Sequence, residues 1–202
     1  MRVPNRVHLD RPWRIHEIVR DFTLEDVWVL PEITGTIDDF DRAVALATSG
    51  DPAHANNRAA RFLWQARDLL GRWFNLGEIS DDVGLSGDPI PGTSETSLVG
   101  RLPADLRGTA DDVRFASVPF VPLYKIEDEL AAEVSNKTVH GVMHLGWARR
   151  EDGTYQGQMA VYVKPRGLFE EAYMAFIKPF RYLVVYPALE MQLARTWAAQ
   201  RG

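Results

Sequence analysis

The sequence predicts an α+β domain in which a curved antiparallel sheet of about six strands wraps a long C-terminal helix, with extra helices near the N-terminus. Three observations predict it. Residues Leu123 to Gly167 read as two consecutive hairpins, LYKIEDELAAEVSNKTVHGVMHLGWARREDGTYQGQMAVYVKP with a Pro-Arg-Gly exit. They run directly into a segment whose Phe169, Tyr173, Phe176, Phe180 and Leu183 recur at helical spacing. The chain has 202 residues, 46% hydrophobic and 25% charged, which is enough for one buried core and reads as a single domain over residues 1–202.

The elements follow in order. Trp13 to Phe22 reads as an extended first strand. Thr23, with Asp26 three residues on, offers an N-cap for a short helix through Leu30. Asp38 starts a second helix, DDFDRAVALATSG, with acids at its positive end and Gly50 as its stop. A longer helix is expected from about Ala55 to Leu76, where Phe62, Ala66, Leu69 and Trp73 form a stripe widened by Leu63, Leu70 and Phe74. So broad a stripe belongs against a core rather than around a cofactor. Residues 80–97 hold DDVGLSGDPIPGTSETS, which has no period of either kind and reads as a mobile loop, either plain disorder or a lid.

Turn chemistry assigns the faces of the hairpins. A two-residue turn at Asn136 and Lys137 would pair Val134 with Val139, Leu130 with Met143 and Ile126 with Trp147. For the next hairpin, a two-residue turn at Asp152 and Gly153 would throw Met159, Val161 and Val163 onto the wrong face. A three-residue loop, Glu151-Asp152-Gly153 with Gly153 left-handed, keeps the apolar residues together. The inner face then carries Tyr124, Ile126, Asp128, Leu130, Ala132, Val134, Val139, Gly141, Met143, Leu145, Trp147, Met159, Val161 and Val163.

Asp128 stands out on that face, because a carboxylate directed into an apolar interior needs a partner or a raised pKa. It reads as a structural ion pair with a cation such as Lys178 or Arg181 or as a residue at the wet end of the cavity, or else as a ligand anchor or general acid/base. It is the one weak catalytic candidate. The same register sets Glu133 opposite His140 and Glu129 opposite His144 on the outer face, as exposed cross-strand charge pairs. The spacing H-x-x-x-H is not a metal motif on a strand, where it separates the imidazoles by about 13 Å. His8, His16 and His54 lie in unrelated segments and supply no second ligand set, so no metal and no cofactor is expected. Pro179 and Pro187 should bend the terminal helix, either to follow the sheet or to turn a freed carbonyl toward a cavity. Around Tyr182 to Leu189 that helix is apolar on nearly every side, which allows a homodimer contact.

Composition narrows the function. With a net charge of -5 and acids spread along the chain, no basic face suggests nucleic acid. The absence of cysteine excludes disulfides, thiolate metal sites and a Cys nucleophile. The first residues, MRVPNRVHLDRPWR, lack a signal peptide's apolar core, and Tyr182 to Leu189 is too short to span a bilayer, so a cytoplasmic protein is expected. G-x-S-x-G, the P-loop and G-x-G-x-x-G are all missing.

A first strand, helices, a run of antiparallel strands and a long C-terminal helix resemble the START-like (SRPBCC) superfamily with its helix-grip fold. More narrowly, DDFDRAVAL, LPADLRG, LYKIEDELAAEVSNKTVHGVMHLGW, QMAVYVKP and YMAFIKPFRYLVVYPALE resemble domain-of-unknown-function family 2867. The resemblance implies the fold, and a function somewhere among lipid carriers, hormone receptors, polyketide cyclases and oxygenase subunits. Three readings follow. The chain binds a hydrophobic small molecule or lipid between sheet and helix, with Tyr124, Asp128, Met143, Trp147, Tyr173, Phe176 and Phe180 lining the site. Alternatively it is an enzyme of the polyketide cyclase or lyase type using the same pocket, or a non-catalytic interaction module with a filled cavity.

Overall fold

The computed structural model describes residues 1–49, 97–115, 120–135 and 139–165. The expected helix over 55–76, nearly all of the expected loop over 80–97, and the C-terminal helix with Tyr173, Phe176, Phe180 and its two prolines lie outside the described residues.

Among the described residues, six strands form one antiparallel sheet that organises the fold. Its strands are β1 (Arg2–Val3), β2 (Thr23–Gly35), β3 (Val121–Lys125), β4 (Glu129–Ser135), β5 (Val139–Arg149) and β6 (Tyr155–Pro165), in the order β1-β2-β6-β5-β4-β3. Two one-turn helices, α1 (Arg6–Leu9) and α2 (Ile15–Ile18), sit between β1 and β2. A 3₁₀ turn at Ile37–Asp39 leads into α3 (Phe40–Ser49). A second 3₁₀ turn occupies Leu98–Arg101.

The expected helix from Asp38 is present, and its start is fixed by a capping box in which Thr36 and Asp39 satisfy each other's backbone. The two elements before it are reversed from expectation. Thr23 to Leu30 is not a helix but the first half of β2, paired with β6 from Thr23↔Val163 to Gly35↔Tyr155. An N-cap signal contributes about 1 kcal/mol. Val27, Trp28 and Val29 have strand propensity and gain a partner strand instead. Trp13 to Phe22 is not a strand: buried Ile15, Ile18 and Val19 follow helical spacing and form α2 with its cap.

The β5–β6 hairpin is the expected bulged one. Gly153 has φ 83°, its N–H bonds the Arg150 carbonyl at 3.1 Å, and the Arg150 N–H bonds the Thr154 carbonyl at 2.8 Å. Met143 therefore faces Val161, and Leu145 faces Met159. The β4–β5 register differs from expectation by two residues, with Leu130 opposite Leu145 and Ala132 opposite Met143. Because the side-chain period is also two, every face assignment in this pair survives.

The stretch expected as one strand from Tyr124 to Val134 is two strands. The Ile126 N–H reaches the Glu129 carbonyl at 2.8 Å, which closes a two-residue turn at Glu127–Asp128. A bulge between Pro122 and Tyr124 then shifts β3 by one residue. Tyr124 stands opposite Ala131, on the face of Glu129 and not that of Leu130.

Both faces are covered, by different material. Trp13, Ile15, Ile18, Val19, Leu98, Leu102 and Leu106 close one face against Tyr124, Ala131, Val142, Ala160 and Tyr162. This is called the histidine face below. On the other face Phe40, Ala43, Val44, Leu46, Ala110 and Val113 pack on Leu30, Leu130, Leu145 and Trp147. Among the described residues no helix is long and apolar enough to cross a membrane.

Candidate functional site

The histidine face buries polar residues in an ordered way. Glu129 at the start of β4 is 2% exposed. Its carboxylate accepts from the Arg14 N–H at 2.9 Å, the Tyr124 hydroxyl at 2.7 Å, the His144 Nε2–H at 3.0 Å and, more weakly, the Ile15 N–H at 3.4 Å. Glu133, two side chains along on the same face, repeats the pattern. It accepts from the Ser97 hydroxyl, the Leu98 N–H at 3.1 Å and the His140 Nε2–H at 2.7 Å. Each carboxylate thus satisfies the open N-terminus of a short covering helix on one side and an imidazole of β5 on the other.

These are the pairs expected from sequence, Glu133 with His140 and Glu129 with His144, but their setting is corrected. Both histidines are fully buried rather than exposed. The two-residue offset makes them diagonal partners, and glutamate is long enough to span the diagonal. They are buried because the N-terminal residues and residues 97–106 cover this face, whose alternating polar residues predict exposure to solvent.

Behind Glu129 lies a layer of aromatic and imidazole rings. His8 is fully buried, and its Nδ1–H donates to the side-chain oxygen of Gln158 at 2.7 Å. Its ring centroid lies 5.0 Å from His144, 5.3 Å from His16 and 5.8 Å from Tyr162. Trp13 closes the layer, 5.4 Å from His144. Tyr162 and His16 meet at 3.4 Å between hydroxyl and Nδ1. Among the described residues, His8 Nε2, His16 Nε2 and His144 Nδ1 have no hydrogen-bond partner. Reading the sequence placed His8 and His16 in unrelated segments; the covering helices bring them onto His144. The missed signal was the N-terminal apolar spacing, which requires a surface to bury against.

Burial sets the protonation states. Desolvation, with His144 and His16 adding repulsion, lowers the His8 pKa from its ordinary value to about 3. Burial also lowers His144, against the pull of Glu129, so its imidazole is neutral and donates through Nε2. Burial alone would raise Glu129, but its donors, His144 first, hold it below its ordinary value and ionised. Tyr124 and Tyr162 are pushed up by burial and by Glu129, and remain phenols. A carboxylate orienting a neutral imidazole can serve a base or a metal ligand. Among the described residues, however, no group of three or more His, Cys, Asp or Glu is placed to hold a metal ion.

The residues expected to line a site are divided by the fold. Tyr124 is corrected to the histidine face, where it is fully buried. Asp128 is in the β3–β4 turn rather than on a strand face. It is half-buried, and its carbonyl accepts the Trp147 N–H at 2.7 Å. Burial, then Glu129 and Glu127, raise its carboxyl above the usual range. Trp147 is fully buried on the opposite face, with its indole N–H donating to the Thr36 carbonyl at 2.7 Å. Met143 is on that same face and half-buried, beside Gly141, Met159 and Val161, which are half-buried too. Together these residues form an apolar strip along the middle of β5 and β6. A separate cleft of about 470 Å³ at the end of the β5–β6 hairpin is lined by Arg11, Arg149, Arg150, Glu151 and Asp152, away from all of them.

What this defines is an antiparallel sheet with one face closed by buried carboxylate–histidine pairs and the other carrying an apolar strip. The family described as Protein of unknown function (DUF2867) matches residues 18–188, and the chain belongs to that family. No curated protein and no solved structure matches the chain.

Proposed function

We propose that the protein binds a hydrophobic small molecule or lipid against the sheet face that carries Met143, Met159 and Val161. One observation carries this reading: the two faces are finished differently. On the histidine face, Tyr124, Ala131, His140, His144 and Ala160 are fully buried. On the other, a closed cluster around Leu130, Leu145 and Trp147 gives way along β5 and β6 to side chains that are half-buried. Adaptable methionines beside a rigid tryptophan make a wall suited to apolar ligands of irregular shape. The proposal extends to the START-like, helix-grip arrangement, in which Tyr173, Phe176 and Phe180 of the C-terminal helix supply the opposite wall.

A second reading, an enzyme of the cyclase or lyase type, is favoured by Asp128. Its half-buried carboxyl, raised above its ordinary pKa, adjoins Trp147 through the backbone and could move a proton at one end of such a site. Native mass spectrometry of protein purified from cells tests the binding reading. A retained apolar molecule, lost in Met143→Glu with the fold intact by circular dichroism, is the expected result. Protein that emerges without a bound molecule, and whose Met143→Glu variant behaves identically toward the apolar dye anilinonaphthalene sulfonate, would contradict it.

A further inference from the structure

We infer that the N-terminal strap, Pro4 to Val19, is an acid-released cover on the histidine face, with the His8 imidazole as its trigger. The anchors of the strap converge on one layer. Glu129 holds the Arg14 and Ile15 N–H groups, Gln158 holds His8, and Tyr162 meets His16. Trp13 lies so close over β5 that a Cβ on Gly146 would stand 2.9 Å from its ring.

The groups facing His8 decide what a proton there would meet. From α2 comes His16, from β5 His144, from β6 Tyr162 and the neutral amide of Gln158, and from β4 Glu129. Glu129 is bonded to Arg14, Tyr124 and His144, not to His8; Asp128 acts on His144 from the β3–β4 turn. A proton on His8 would therefore place a fully buried cation among two imidazoles and the rings of Trp13 and Tyr162, with no carboxylate bonded to it. Swinging the strap away hydrates that cation and bares Tyr124, Glu129, His144 and Tyr162. The closed form requires neutral His8, whose pKa there is about 3, whereas a hydrated His8 titrates at its ordinary 6.5.

Hydrogen exchange of the full chain, expressed as protection factors so that the intrinsic pH dependence cancels, tests the device. Between about pH 7.5 and about pH 5, protection of the strap amides Leu9, Asp10 and Val19 is expected to fall about thirtyfold and to stay, at both pH values, well below that of the β5–β6 amides, which exchange only on global unfolding. His8→Gln is expected to reduce that ratio to below about threefold, because it leaves the strap anchored without the titrating ring. Strap protection that is unchanged with pH, strap protection equal to that of the sheet amides, or a full pH response in His8→Gln would each overturn the inference. Should His8→Gln not fold, the wild-type imidazole resonances decide. A His8 ring that becomes protonated while the strap amides stay protected also overturns it.

Discussion

Glu129→Gln tests the reading that the carboxylate–histidine pairs are internal clamps. In the structure Glu129 is an acceptor for Arg14 N–H at 2.9 Å, Tyr124 O–H at 2.7 Å, His144 Nε2–H at 3.0 Å and Ile15 N–H at 3.4 Å. Glutamine keeps the shape but turns one oxygen into a donor. If its oxygen stays toward Tyr124 and His144, its amide N–H₂ confronts the Arg14 N–H, and both donors are left buried without an acceptor. If it flips, Tyr124 and His144 lose theirs. Hydrogen bonds to a charged acceptor contribute about 1.5–3 kcal/mol each, and an unsatisfied buried donor costs about 1–3 kcal/mol. Some tautomer and hydroxyl rearrangement offsets part of this, which leaves a loss of roughly 4 kcal/mol. An exposed pair would lose at most about 1 kcal/mol. Urea denaturation at neutral pH separates the two, with Tyr124→Phe as an intermediate case of about 2 kcal/mol. A Glu129→Gln midpoint within error of wild type, at unchanged slope, would refute the clamp.

Three further outcomes are expected. Gly146→Ala should lose about 1–3 kcal/mol, because its Cβ would lie 2.9 Å and 3.0 Å from Trp13 ring atoms and 3.1 Å from His144 Cε1; near-UV circular dichroism should show the Trp13 environment changed. Gly153→Ala should lose only about 1 kcal/mol, the backbone term for φ 83° in open space, and a larger loss by thermal denaturation would show the hairpin is held otherwise. Global stability should be fully present above about pH 6.5 and fall as the pH drops toward 3, since unfolded His8 takes a proton before folded His8 does. Its share of that loss at about pH 5 is about 2 kcal/mol, read from urea midpoints of wild type against His8→Gln.

Local chemistry made the strongest elements legible. Gly153 and the need to keep Met159 with Met143 defined the bulged hairpin, and DDFDRAVAL marked the helix after Thr36. The β4–β5 faces emerged despite a register off by two, since an even slip preserves alternation. The failures have tertiary causes. Glu127 and Asp128 form a turn inside an otherwise continuous strand pattern, and no glycine or proline marks it. That turn pairs Tyr124 with Ala131 and so puts its ring on the face of Glu129, while the one-residue bulge beyond it shifts only Val121 and Pro122. Polar residues at alternating positions looked solvent-facing because nothing in His140 or His144 shows that Ile15, Ile18 and Leu98 will cover them. At the N-terminus a Thr23 capping signal and a Val-Trp-Val strand signal overlap in the same eight residues, and strand pairing with β6 outweighs the cap.

The central functional claim is that an apolar ligand lies on the face opposite the histidines. Methyl spectra of methionine-labelled protein test it most directly, recorded during titration with anilinonaphthalene sulfonate and then with whatever apolar molecule native mass spectrometry recovers. The account predicts that the Met143 and Met159 methyl resonances shift while the His8 and His144 imidazole resonances stay in place. Shifts confined to the imidazoles, with both methionine methyls unmoved, would contradict it.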